Sequence, residues 1–575
     1  MKNIIILMLS LICAPVYAVD TTDAVNLNAL SNQYFDSFYM PNHPTDATSL
    51  GLHQYDDKME GYSKADIKSQ IKELRAYETK FSLIDRQNLD VEEQGDLDLV
   101  VNNIKSQLLK LQTIKPFEKN PDVYSSGVTN SAFVIAERKF APSNDRLKSL
   151  IAREKLMPGI LNEAKNNLIN PPRIYTEIAL EQLPGDISFF ETDLPAAFKD
   201  VDDVVLQKQF KESNAAVVTA LKEYQVWLNN DLLPRSHGDF KLGEDTFRKK
   251  LKYDEMIDMP LDQLLKIGMH DLRHNQKELD KVIKEIDPNK SSVQVFEDLS
   301  NDYPNPDQLL VTFGSNFNDL IGFIKQRHIL TIPSDIKPKM EETPPFLRAI
   351  TLASMDTPGP FEKNSSEAYF NVTLPAKNWS IAKTNNYMRT FNYAQITGTV
   401  IHETYPGHYV QFLWMPTIHD RVRKILASTS NFEGWAHYVE QMMLDEGYGS
   451  TDPVKQKQLR AGQLIAALLR DSRFIVAIQM HTGKMTFDQA VDFFVKEGRQ
   501  PRTVALIEVK RGTSDPMYLA YTLGKLQIQK LRADVQKKEG DKFNLQQFHD
   551  AFMQQGSPPI KIVRKAMLLN DSETL

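Results

Sequence analysis

Apolar residues recur three and four positions apart through residues 147–167, 205–227, 261–286, 456–480 and 518–537. That period turns a single apolar stripe of an α-helix toward a core, so most of the chain is predicted to be helical. Pro158 falls inside the first stretch and predicts a kink there. Residues 368–374 read differently. Their sequence, Ala-Tyr-Phe-Asn-Val-Thr-Leu, is rich in aromatic and β-branched side chains and stops at Pro375, which predicts a strand. Pro171-Pro172, Pro304-Asn305-Pro306, Pro344-Pro345 and Pro358-Gly359-Pro360 mark loops. The expected fold is mainly α, with two helical lobes around a cleft and a small β-sheet near the site. The lobes are drawn as residues 19–240 and 241–575, with one continuous domain as the alternative, because no clean linker separates them.

The N-terminus reads as an export signal. A short positive leader, Met1-Lys2-Asn3, precedes an apolar run from Ile4 to Cys13, and Val16-Tyr17-Ala18 offers the small residues that signal peptidase reads. Residues 1–18 are therefore expected to be removed, leaving a mature chain that starts at Val19 in the periplasm or outside the cell. Lipid attachment at Cys13 is the weaker alternative, because Ile12 stands where lipoprotein processing wants a small residue. No later stretch reaches the ~18 apolar residues of a membrane span. Cys13 is the only cysteine, so disulfides, a cysteine nucleophile and thiolate metal sites are excluded from the mature chain. A formal net charge of -7 with no cluster of Lys and Arg gives no reason to expect a nucleic-acid partner.

The chemistry concentrates in His402-Glu403-Thr404-Tyr405-Pro406-Gly407-His408 and in Glu433-Gly434-Trp435-Ala436. Two imidazoles and a remote carboxylate are the ligand set of a catalytic zinc with an open fourth position. Glu403 sits where a general base for water attack belongs. The spacing is unusual. Histidines four apart share a helix face, but six apart they diverge by roughly 240° on an unbroken helix. For both rings to reach one ion the helix must break between them, and Pro406-Gly407 falls where that break is needed. Glu433, His437 and Glu440 then form one helical stripe. Glu433 would complete the ligand set, while His437 or Glu440 would hold a ligand ring from behind. A solvated polar face is the competing reading of His437 and Glu440.

These residues resemble a bacterial family of exported proteins, domain of unknown function 885, which shares the His-Glu-x-x-Pro-Gly-His segment and the later Glu-Gly-Trp-Ala. The likeness covers nearly the whole mature chain. It includes Ala47-Thr48, Leu50-Gly51 and Tyr55-Asp56 within residues 44–63, then Gly243 to Phe247 with Leu251. It also takes in Arg511 to Pro516 and Tyr521 to Lys525. The resemblance implies a helical, metallopeptidase-like protein with Zn(2+) on His402, His408 and Glu433 and with Glu403 as base. Many relatives carry another histidine directly after the second; this chain has Tyr409.

A zinc peptidase acting on peptide substrates is the first expectation. A zinc hydrolase of non-peptide amides or esters, and a peptide-binding protein without turnover, are the alternatives. Tyr518, Tyr521 and Lys525 fall at helical spacing. Either tyrosine is a candidate donor to the oxyanion, and Lys525 or Arg511 is a candidate anchor for a substrate carboxylate. Core packing of the tyrosines and a solvated Lys525 are the competing reading. The strand through Asn371 is a candidate partner for an extended peptide backbone. His270 and His274, four apart around Asp271, find no third ligand and read as an outer helix face. No G-x-S-x-G elbow, phosphate loop or dinucleotide loop occurs. Oligomeric state and end-trimming versus internal cutting are left open.

Overall fold

In the computed structural model the residues described are 23–343, 348, 351–363 and 367–575. The expected leader, with Cys13 and the cut after Ala18, and the Pro344-Pro345 loop lie outside them. The chain is mainly helical, with one small sheet. Helix starts follow local chemistry. In α1 (Lys64–Phe81) and α2 (Val91–Leu109) the capping residues Ser63 and Asp90 each form a reciprocal capping box with the third helical residue, Asp66 and Glu93. Helix α3 (Asp122–Glu137) leads into the first predicted stretch, which is two helices, α4 (Ser143–Glu154) and α5 (Met157–Asn167). Pro158 does more than kink a helix: it opens a new one from the first turn, where its missing N–H is harmless. Helix α6 (Val204–Trp227) starts on Asp203, whose carboxylate accepts from Val205 and Leu206. A first apolar core is built from residues 27–232, joined by Val422, Ile425, Leu426 and Ile562.

Beyond it stand α7 (Glu244–Glu255), α8 (Leu261–Ile286) and α9 (Leu309–Gln326). The sheet follows, with strands β1 (Lys339–Glu342), β2 (Ala353–Asp356) and β3 (Tyr369–Val372) in the order β1-β3-β2. The central strand pairs in parallel with β1 (Glu341 opposite Asn371) and antiparallel with β2 (Ser354 opposite Asn371). The predicted strand is thus present over four residues. Both of its edges are already used, so Asn371, itself 3 % exposed, cannot accept a substrate strand as expected. A peptide adds only to an unpaired edge.

Helices α10 (Tyr393–Glu403), α11 (His408–Trp414), α12 (Thr429–Asp445), α13 (Pro453–His481), α14 (Arg502–Ser514) and α15 (Ala520–Glu539) complete the frame of the site. They pack through two further cores, one joining α10, α11, α12 and the sheet, the other joining α8, α13 and α14. The crossing of α12 and α15 is set by glycine. A Cβ on Gly524 would fall 1.8 Å from the carbonyl oxygen of Ser430, and one on Gly434 would fall 2.4 Å from the Cα of Gly524. Only two glycines let the backbones approach that closely. Among the described residues no helix is long and apolar enough to cross a membrane.

Candidate metal centre

Helix α10 ends at Glu403 and α11 starts at His408, so the helix breaks between the histidines as the spacing requires. The break is tight. A Cβ on Gly407 would sit 1.8 Å from the carbonyl oxygen of His402, so only glycine fits. Trp435 of the second motif is fully buried and donates its indole N–H to the carbonyl of Pro406 at 2.8 Å. One motif thereby braces the turn of the other. The result brings the two rings to 4.8 Å between centroids, nearly perpendicular at 86°.

Glu433 reaches both rings from α12. Its Oε2 stands 3.5 Å from His402 Nε2 and 3.4 Å from His408 Nε2, and the three ligand atoms lie within 4.8 Å of one another. That Oε2 is buried and accepts no hydrogen bond. Around a tetrahedral ion with ligands at roughly 2.1 Å, neighbouring ligand atoms stand about 3.4 Å apart. The two nitrogen–oxygen separations match that spacing, so these three side chains could hold a zinc-like cation. Burial alone would push the Glu433 carboxyl up, but the two histidines hold it well below the usual range. Burial would lower His402, yet Glu433 and Glu440 raise it to about 9.

Two of the three candidate ligands, His402 and Glu433, are held from behind, while the buried Nδ1 of His408 has no hydrogen-bond partner. Glu440 accepts from His402 Nδ1 at 2.6 Å, which aims Nε2 at Glu433. Arg470 pairs with Glu440 at 2.9 Å, and together with His402 and His437 it keeps that carboxyl low against the upward push of burial. His437 does not reach a ligand ring. It lies fully buried behind Glu440, 3.5 Å from its Oε2, and burial pushes it down to about 3, so it is neutral. Glu403 follows His402 directly and is partly exposed; burial raises its carboxyl, opposed by His408 and His402.

The other predicted residues separate. Tyr521 donates its hydroxyl to Glu433 Oε1 at 2.9 Å, leaving Oε2 for the ligand position. Its ring lies under Arg473 (4.9 Å), Arg470 (5.6 Å) and the exposed Arg511 (5.9 Å). Arg511 also bonds Asp515 at 3.1 Å. Tyr518 does not share that face. It precedes α15, lies 1 % exposed in a core, and its hydroxyl is buried without a partner against Gly512. Neither is Lys525 free for a substrate carboxylate. It is 1 % exposed and donates to Asp271 at 2.7 Å, beside Asp471, which Asn275 and Thr522 also hold. His270 and His274 are exposed on α8 while Asp271 turns inward.

Three contributors were missed from sequence. Arg470 and Arg473 carried a signal, since charges inside the apolar run of residues 468–478 imply buried partners; Arg473 bonds Glu508 at 2.6 and 2.8 Å. Glu255, at the end of α7, is buried and accepts from Ser428, Ser430 and the Ser430 N–H, pinning the start of α12. Nothing in its local sequence marks it.

Fold and site together define a mainly helical protein that draws two histidines and a glutamate from three helices to one point. The chain belongs to a family of bacterial proteins of unknown function, DUF885, whose model matches residues 44–567. It is similar to a solved "putative lipoprotein of unknown function" from Shewanella oneidensis, at 26% identity and a TM-score of 0.78, over 94% of this chain and 99% of that one. A "putative lipoprotein" from Colwellia psychrerythraea shares the fold at 17% identity and a TM-score of 0.78, over 95% and 99%. No curated protein matches the chain.

Proposed function

We propose that this chain is an exported zinc-dependent peptidase whose metal ligands are His402, His408 and Glu433. The observation that carries the reading is the buried Oε2 of Glu433, which accepts no hydrogen bond and faces two ring nitrogens at 3.5 and 3.4 Å. A desolvated carboxylate is costly unless a cation lies against it, a place that the raised His402 fills in part and a metal ion would fill directly. Zinc in such a site supplies Lewis acidity, making water nucleophilic at neutral pH and polarising a carbonyl. Glu403 takes a proton from the attacking water and returns it to the leaving amine. Its upward-shifted carboxyl suits both halves of that exchange. Glu440 and Arg470 fix the orientation of His402, and Tyr521 fixes Glu433. One core built mainly from residues before 233, with a few contributions from residues 422–426 and 562, and two built from residues after 246 support a reading with two helical lobes flanking the site. Export rests on the apolar leader and on the lipoprotein descriptions of the solved relatives.

Zinc analysis of the purified chain, with a screen of blocked and unblocked peptides, tests the proposal. About one zinc per chain and peptide turnover that falls by roughly 10²–10⁴ in Glu403→Gln are expected. Hydrolysis of amides or esters but not peptides would favour the non-peptide alternative. Peptide binding that survives without turnover would favour a binding protein.

A further inference from the structure

Beside the ligand cluster lies a pair of aromatic side chains that the metal chemistry does not use. Phe412 stands one turn after His408 on α11, its ring 6.2 Å from the His408 ring. Phe432, directly before Glu433 on α12, lies 5.3 Å from Phe412. The three rings run on from one another, starting at a metal ligand.

Two features set this pair apart from ordinary packing. Both phenylalanines are partly exposed, whereas Tyr409, Trp414 and Trp435 beside them in sequence are buried. Neither belongs to any of the three apolar cores, although Leu413, next to Phe412, packs against one of them. Side-chain exposure rises across the cluster, from 9% at His402 through 13% at His408 to 24% at Glu433. The aromatic pair therefore continues the open side of the centre. His402, on the closed side, is backed by Glu440 and Arg470.

From this placement we infer that Phe412 and Phe432 form the floor of a substrate subsite that selects a large apolar side chain next to the scissile bond. The inference rests on the peptidase reading above and gives it a substrate class: peptides with Phe, Leu or a similar residue at the position flanking the cut. The physical basis is transfer of an apolar side chain from water onto two adjacent rings tilted by 43°, with no polar group needed for recognition. Phe412 and Phe432 are specificity residues, and the proton transfers and metal ligation run without them.

The test uses the full mature chain loaded with zinc and a peptide series of one frame carrying Ala, Leu or Phe on either side of the cut. Wild type is expected to favour Phe over Ala by about 10- to 100-fold in kcat/KM at one of the two positions. Phe432→Ala and Phe412→Ala are expected to reduce that ratio toward one. Phe432→Leu should retain most of the preference, which separates loss of apolar surface from loss of fold. Zinc content and circular dichroism are measured on every variant. A selectivity ratio unchanged in both alanine variants, with zinc and fold intact, overturns the subsite. Equilibrium binding of the same peptides to the zinc-loaded chain is read independently of turnover. Preferential binding of the Phe peptide, lost in Phe432→Ala but without hydrolysis in wild type, keeps the subsite and overturns only the peptidase reading. Equal binding of the Phe and Ala peptides overturns the subsite.

Discussion

Replacing Tyr521 by phenylalanine separates two roles for its hydroxyl. In the structure that hydroxyl is spent on Glu433 Oε1 at 2.9 Å, and the ring beneath the arginines would be retained by phenylalanine. The bond joins a phenol to a buried carboxylate, a type worth about 1.5–3 kcal/mol net. If its work is to hold Glu433 with Oε2 facing the histidines, the loss appears in zinc affinity. That energy corresponds to a rise in Kd of roughly 10- to 150-fold, in line with the ~10–100-fold common for groups behind metal ligands. Competition titration of metal-free protein with a zinc-selective chelator measures it directly. In a Glu433→Gln background the same replacement should cost much less, because the charge that the hydroxyl served is gone. A Kd within twofold of wild type, with turnover at saturating zinc reduced a hundredfold, would refute this reasoning. It would give Tyr521 the oxyanion role instead.

Zinc uptake should release about one proton per chain at pH 7, read by titration in weak buffer, because His402 is raised to about 9 while Glu433 is already ionised. Apparent affinity should accordingly rise close to tenfold per pH unit between pH 6 and 8; a flat profile would contradict the shift. Glu255, raised to about 7 by burial, keeps its proton longer in the folded chain than in the unfolded one. Its contribution to stability is full below its unfolded value near 4.5 and fades as pH rises through 7, by about 3 kcal/mol at most. The difference in melting temperature between wild type and Glu255→Gln should therefore shift in favour of the variant from pH 5 to pH 8, and parallel curves would argue against it. Gly524→Ala should cost about 1–3 kcal/mol or more through overpacking against Ser430, seen as a lower Tm together with weaker zinc binding.

The helices and the broken turn were legible because their causes are local. A 3.6-residue apolar period, an N-capping Asp203 and a Pro-Gly pair between two histidines each act within a few positions. The prediction went astray where a residue's partner is remote. Spacing put Tyr518, Tyr521 and Lys525 on one face of a single helix, but it could not say which face meets the interior. Lys525 finds Asp271 254 positions away, and Tyr521 finds Glu433 88 positions away. Tyr518 failed for a nearer reason: residues 515–519 form a turn, and α15 begins only at Ala520. The Asn371 strand was recognised from its composition, but its neighbours β1 and β2 were not, since Lys339–Glu342 and Ala353–Asp356 have no strong β signature. Without them the strand looked available to a substrate.

In the proposed metal centre, the glycine crossing of α12 and α15 would tie metal uptake to the docking of α15. Glu433 takes its posture from Tyr521, and Tyr521 arrives only when a helix within the last tenth of the sequence docks. A nascent or truncated polypeptide that has already made both histidines still lacks the support that sets the third donor. Tight cation capture would thus report that α15 has been made and docked, and a chain lacking it would not sequester the ion prematurely.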